Sequence, residues 1–225
     1  RQIFQFFCQL DINQSQIDHL LEKLGQKWQK EFDAISKIIL YSWVVYMDET
    51  GWRVNTENCY TWIFTTVSHT LYLFGERRNE EVLDRILPLG EFKGIGVSDC
   101  YSMYVNRFEK AQKCWPHFLR TAIKLMLLYP QKEEYQKFFE AVFKIYRLAK
   151  LLKTKESPPE EKSKRVKILT QAVLNLCTRK EESIPKETDK DHRDFVNLQK
   201  RLVKNQDDLF TFVLEENVDS SSNRA

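Results

Sequence analysis

The chain has 225 residues, 42% of them hydrophobic and 30% charged, with 35 Lys and Arg against 32 Asp and Glu. That length supports a sizeable core, in one large domain or one domain with an insertion, and the composition excludes a disordered or fibrous chain. A net charge of +3 is an ordinary mixed surface that does not by itself argue for a nucleic-acid partner. Apolar stretches break well before bilayer-spanning length and no secretory signal pattern is present, so no membrane role is expected. The five cysteines (Cys8, Cys59, Cys100, Cys114, Cys177) are odd in number and lack C-x-x-C spacing. They read as reduced, mostly buried thiols of a cytoplasmic protein, not as a disulfide framework or zinc site. The chain opens on Arg1 rather than Met and reads as a fragment of something longer.

Residues 3–42 read as helical. Ile17, Leu20, Leu21, Leu24 and Trp28 share one helix face, and Asn13 or Ser15 can cap the start by accepting first-turn amide protons. Residues 6–15 carry the polar turn of either a helix-turn-helix or two ordinary core helices, and a second helix is expected over 30–42. From 43 to about 115 the pattern changes to strand and turn. Strands are expected over 43–48, 59–66 and 70–74, where β-branched and aromatic residues dominate, with hairpin connections at 55–58 and 67–69. A helix follows over 79–87, stopped by Pro88 and Gly90, then a strand over 94–98 and a fifth over 111–115. From His117 onward the chain reads as helix, over 118–129, 133–153, 162–179 and 191–214, with breaks at Pro158-Pro159 and Pro185.

Asp48 closes Trp43-Val44-Val45-Tyr46-Met47 and Asp99 closes Gly94-Ile95-Gly96-Val97-Ser98. If those strands are neighbours, the two carboxylates converge at their ends. Converging carboxylates repel unless a cation sits between them, and an oxygen-only ligand set suits magnesium or manganese. That is the skeleton of a metal-dependent phosphoryl-transfer site. Singly, each aspartate reads equally well as a turn cap. No glycine-rich phosphate loop, G-x-S-x-G elbow or H-E-x-x-H motif competes with this reading.

Five segments in order carry a resemblance: Asp48-Glu49-Thr50-Gly51-Trp52-Arg53-Val54, Trp62-Ile63-Phe64-Thr65-Thr66, Phe92-Lys93-Gly94, Val97-Ser98-Asp99-Cys100-Tyr101-Ser102 and Cys114-Trp115-Pro116-His117-Phe118-Leu119-Arg120. With the tail Ser222-Asn223-Arg224-Ala225, the chain resembles the DDE transposases of the insertion-sequence-sixty-six family from about residue 37 to its last residue. The resemblance implies an α/β (α+β) fold, a ribonuclease-H-like mixed sheet with flanking helices and a large helical insertion. It implies an N-terminal helical segment over 1–42, the core over 43–130, the insertion over 131–214, and 215–225 as the approach to a final catalytic helix.

The implied activity is metal-dependent DNA cleavage at the ends of a bacterial insertion sequence and transfer of the freed 3′-hydroxyl to target DNA. Three carboxylates would hold two Mg2+ ions, with Mn2+ able to substitute. Asp48 matches the first and Asp99 the second; the third would immediately follow Ala225. The implied partners are element-end and target DNA and further copies of the chain on that DNA, in the cytoplasm at the bacterial nucleoid. The family's upstream DNA-binding and zinc-binding segments would lie before Arg1. Two departures, Cys100 where the family often has Phe and Pro116 where it often has Ala, touch no expected ligand.

Around this pair, Glu49 points to the opposite strand face and reads as a supporting residue. His117 and Arg120 share a helix face and either satisfy local partners or contact DNA phosphate. Arg53, Asn223 and Arg224 are further candidates for DNA contact or support of the site. The cations from Lys150 to Lys167 are interrupted by Glu156, Glu160 and Glu161 and read as solvated helix ends, with a DNA-facing side as the alternative. Two other functions stay open: a non-catalytic remnant of a decayed element that only binds DNA or a partner, and a metal nuclease that cuts without joining.

Overall fold

The computed structural model describes residues 9, 13–105, 107–177 and 190–225. Its first element is α1 (Gln14–Leu40), opened by a capping box in which the Asn13 side chain accepts from the Gln16 amide at 2.8 Å and Gln16 Oε1 accepts from the Asn13 amide at 2.9 Å. Ser15 therefore lies inside the first turn. The turn expected over 6–15 falls largely outside the described residues. The break expected before a second helix at residue 30 is absent: α1 runs on unbroken, since no proline interrupts it. Only its second half packs, through Phe32, Ile35, Ile39 and Leu40. The stripe Leu20, Leu21 and Trp28 is exposed.

Strands β1 (Val44–Val54) and β2 (Glu57–Thr65) form a hairpin that pairs from Tyr46↔Thr65 to Val54↔Glu57. The strand expected to end at Asp48 thus continues six residues past it, because β2 supplies a ladder partner all the way to the turn. The turn itself is Asn55-Thr56, shorter than expected, with φ of 48° and 72°. Two successive positive φ values fit the primed turns that match strand twist. Thr56 is β-branched in a region that costs about 1–2 kcal/mol for such residues, while glycine's extra chain entropy costs about 0.5–1 kcal/mol. Thr56→Gly is therefore expected to stabilise the protein by roughly 0.5–1 kcal/mol in urea denaturation.

Next come β3 (Thr70–Glu76), α2 (Glu80–Ile86), β4 (Ile95–Ser98) and β5 (Lys110–Lys113). The sheet order is β3-β2-β1-β4-β5, with β1–β2 and β2–β3 antiparallel and β1–β4 and β4–β5 parallel. Gly94 lets β4 tuck under the entry to β1: a Cβ there would meet the Ser42 carbonyl oxygen at 2.4 Å and that of Trp43 at 2.7 Å.

The helical half comprises α3 (Trp115–Leu128), α4 (Glu133–Thr154), α5 (Pro159–Cys177), α6 (Lys190–Lys204) and α7 (Thr211–Leu214). Trp115 opens α3 and does not extend the fifth strand to residue 115. The expected helix over 191–214 stops at Lys204. There Asn205 turns its side-chain amide onto the Arg201 carbonyl (2.7 Å), and Gln112 Oε1 accepts from the Phe212 amide (2.8 Å) while its Nε2 donates to the Leu209 carbonyl (3.1 Å). Side-chain partners of this kind compete with helical bonds and draw residues 209–212 onto β5.

Strand alternation sends the two sheet faces to different cores. Val44, Tyr46, Ile95 and Val97 pack with α3–α7, while Val45, Met47, Trp62 and Phe64 pack with α1 and α2. No helix among the described residues is long and apolar enough to cross a membrane.

Candidate active site

In the parallel ladder between β1 and β4, Val44 pairs with Ile95 and Tyr46 with Val97. Two residues further along are Asp48, still within β1, and Asp99, the first residue past β4, so continuing the same register brings the two together at strands about 4.8 Å apart. Asp48 keeps the parity of Val44 and Tyr46 and faces the helical half. It is mid-strand, not at a strand end, but the site still opens there because β4 stops at Ser98. Each aspartate has one oxygen anchored by a backbone N–H. Asp48 Oδ1 accepts from the Glu49 amide (2.9 Å) and Asp99 Oδ1 from the Tyr101 amide (2.8 Å). Among the described residues neither Oδ2 has a hydrogen-bond partner.

Burial raises the pKa of Asp48 and the neighbouring Asp99 carboxylate raises it further; the Glu49 amide, His117 and Arg120 pull the other way. His117 and Arg120, one turn apart on α3, thus stand beside the aspartates. His117 Nδ1 is buried without a hydrogen bond, and the ring lies against the Cys114 thiol, which couples to it by side-chain hydrogen bonding and by charge. The thiol raises the imidazole pKa, and His117 together with hydrogen bonds from Ser222 brings the thiol down to about 7 even though burial alone would raise it.

On the opposite face Glu49 forms a buried network that the sequence did not reveal. Its carboxylate accepts from Arg78, by Nε at 2.9 Å and also by the guanidinium NH2, and from the Tyr104 hydroxyl at 2.8 Å. Arg78 lies 3.6 Å over the Tyr101 ring. The residue after Asp48 is thereby tied to the loop after Asp99. Lys113, 1% exposed, braces the same loop from β5, with Nζ 3.4 Å from both Ser98 Oγ and the Tyr104 carbonyl. Nothing in its sequence context distinguishes it from a surface lysine, because only the fold buries β5.

The C-terminal residues return to this region. The Trp115 amide donates to the Ser220 carbonyl (2.9 Å), the Ser222 amide to Cys114 Sγ (3.3 Å) and the Asp219 amide to the Tyr46 hydroxyl (3.0 Å). Arg224 sits 5.3 Å over the Tyr46 ring and pairs with Asp219 at 2.7 Å. Asn223 is exposed and lines a cleft with Pro116, Tyr146 and Lys153. Arg53 is not brought to the site: it lies on the exposed outer hairpin, five residues past Asp48, a span of roughly 17 Å at strand rise. Lys153, one of the cations expected at solvated helix ends, instead donates to the carbonyls of Glu215, Glu216 and Val218 at 2.6–3.0 Å. It staples α4 to the C-terminal segment.

Three antiparallel strands followed by two parallel ones, helices on both faces and a helical C-terminal region define a ribonuclease-H-like fold, with Asp48 on β1 and Asp99 just past the end of the adjacent β4. The whole chain, residues 1–225, matches the transposase IS66 family, and it belongs to that family of DDE transposases. Searches of curated proteins and of solved structures return no match. Among the described residues no group of three or more His, Cys, Asp or Glu is placed to hold a metal ion, so the two aspartates form a two-carboxylate pair.

Proposed function

We propose that this domain cleaves DNA at the ends of a bacterial insertion sequence and transfers the freed 3′-hydroxyl to target DNA. In this reading Asp48 and Asp99 are two of three carboxylates that hold a pair of divalent metal ions. The observation that carries it is the adjacency of these two aspartates in a family member's fold. The donor set fits magnesium, or manganese in its place: hard carboxylate oxygens from β1 and from just past β4, each with Oδ1 anchored and, among the described residues, Oδ2 without a hydrogen-bond partner. A bound metal pair supplies charge stabilisation at the attacking and leaving oxygens of an in-line displacement at phosphorus.

The chain's own residues do the rest. The anchored carboxylates orient toward the helical half, and Glu49, Tyr104 and Lys113 hold the Asp99 loop against β1. His117 and Arg120 contact the phosphate being cut, and Arg224 and Asn223 support the same side. Arg53, at the far end of the hairpin, takes no part at the reacting centre. The reaction takes place on DNA in the bacterial cytoplasm, with more than one copy of the protein holding the two element ends.

The test is incubation of the full-length protein with element-end DNA in magnesium, in manganese and in chelator. Nicked and joined products with either metal, and none in chelator, are expected. Cut products without joining indicate a nuclease, and DNA binding without cutting indicates a non-catalytic remnant; either result overturns the proposal.

A further inference from the structure

We propose that the cleft between α3 and α6 is a phosphate track that carries DNA away from the aspartate pair; this rests on the reading of the protein as a DNA-acting transposase. The cleft has a volume of about 710 Å3, and five cations line it: Lys124 from α3 and Lys190, Lys200, Arg201 and Lys204 from α6, against the single acid Asp194. The four lysines are exposed, and among the described residues none of the five cations forms a salt bridge. This concentration contrasts with the near balance of the whole chain, at 35 basic and 32 acidic residues.

The arrangement suits a polyanion rather than one small anion. A small anion calls for donors that converge on a point. Here Lys190 and Lys204 stand fourteen residues apart on one helix, roughly 20 Å at helical rise. DNA presents about one negative charge per 1.7 Å of axis, and clustered cations gain affinity by releasing its counterions.

The track is continuous with the candidate active site at one end. Arg201 lies 5.5 Å over the ring of Phe118 on α3, two residues before Arg120. On α3, Arg120 and Lys124 are one turn apart, so the face that bears on Asp48 runs directly into the cleft. DNA whose scissile phosphate lies at Asp48 and Asp99 would meet Arg120 and Arg201 first and then the lysines.

Fluorescence anisotropy with labelled duplex DNA over a series of salt concentrations tests this. Lys124→Gln/Lys200→Gln/Lys204→Gln removes three phosphate contacts, so affinity should fall about 10- to 100-fold and the slope of log K against log salt should shallow by nearly 3. Lys23→Gln/Lys27→Gln/Lys30→Gln, three exposed lysines on α1, removes the same charge elsewhere and should leave both quantities near the parent's. Asp48→Asn should also bind normally, which separates the track from the chemistry. An unchanged slope in the cleft variant, or an equal loss in both lysine sets, overturns the track while leaving the transposase reading in place. A parent protein that binds no DNA at all overturns both.

Discussion

Asp48→Asn and Asp99→Asn are each expected to abolish DNA cleavage while leaving the fold and DNA binding intact. The amide is nearly isosteric with the carboxylate, and its remaining oxygen can still accept from the Glu49 or Tyr101 amide that anchors Oδ1. What it lacks is the negative charge that holds a divalent cation. Losing one ligand of a pair that provides several kcal/mol of transition-state charge stabilisation costs on the order of 10^3-fold or more in rate. A second signature separates this from simple damage. The Asp48 pKa is raised, chiefly by burial, so ionisation is tolerated less well in the folded protein than in the unfolded chain. The sign follows: as pH rises through the ordinary carboxylate range, Asp48 loses its proton sooner in the unfolded chain and stability falls. Without metal, Asp48→Asn should therefore be more stable than the parent at neutral pH, and the difference should vanish in acid where both are neutral. Magnesium should raise the parent's melting temperature and leave that of Asp48→Asn unmoved. Cleavage that survives either substitution would sink the ligand assignment.

That each aspartate ends a buried run was legible from local pattern; that the two runs are neighbours was not, and comes from the β1–β4 pairing. Val44-Val45-Tyr46-Met47 and Ile95-Gly96-Val97 are short runs that bury both faces, and the next polar residue marks where burial ends. What the pattern did not show is that β1 continues through Thr50, Trp52 and Val54. That outer half has no core to cover it, only the β2 ladder, so its residues lack the apolar signature of the inner half. β5 was legible as a strand, expected over 111–115 and found over Lys110–Lys113, but its burial was not. Lys110-Ala111-Gln112-Lys113 reads as surface, yet Gln112 is 0% and Lys113 1% exposed, because carbonyls of other segments satisfy both side chains.

Contacts between residues distant in the chain account for the rest. Glu49 reads as a supporting residue from strand parity, but parity cannot announce Arg78 or Tyr104 as its partners, 29 and 55 residues away. The same holds for Lys153, whose carbonyl partners lie more than sixty residues downstream. The basic cleft is hidden for a related reason. Lys124 and Lys204 are unremarkable on their own helices and become a feature only when α3 and α6 pack together.

Trp115→Ala is expected to cost about 3–5 kcal/mol of stability, the range for deleting a large buried aromatic. Trp115 is fully buried and makes three ring contacts, with Tyr146 at 5.2 Å, Phe210 at 5.5 Å and Phe118 at 6.2 Å. Those rings come from α4, from the segment before α7 and from α3, so one side chain joins three parts of the helical half. Its indole Nε1 also donates to the Leu209 carbonyl at 2.6 Å, beside the Gln112 amide that donates to the same oxygen. That shared acceptor makes the two losses separable. Trp115→Phe keeps most of the packing and leaves Leu209 bonded to Gln112, so it should cost only about 1–2 kcal/mol. Trp115→Ala opens a cavity between helices that cannot close without breaking the Tyr146 and Phe210 contacts. Urea denaturation should report the difference as a shift in midpoint at constant slope. Because the Trp115 backbone amide also donates to the Ser220 carbonyl, repacking at this position should loosen residues 217–225 and raise their exposure to protease before the sheet itself unfolds. A cost under about 1 kcal/mol for Trp115→Ala would mean that the helical half is held to the sheet elsewhere.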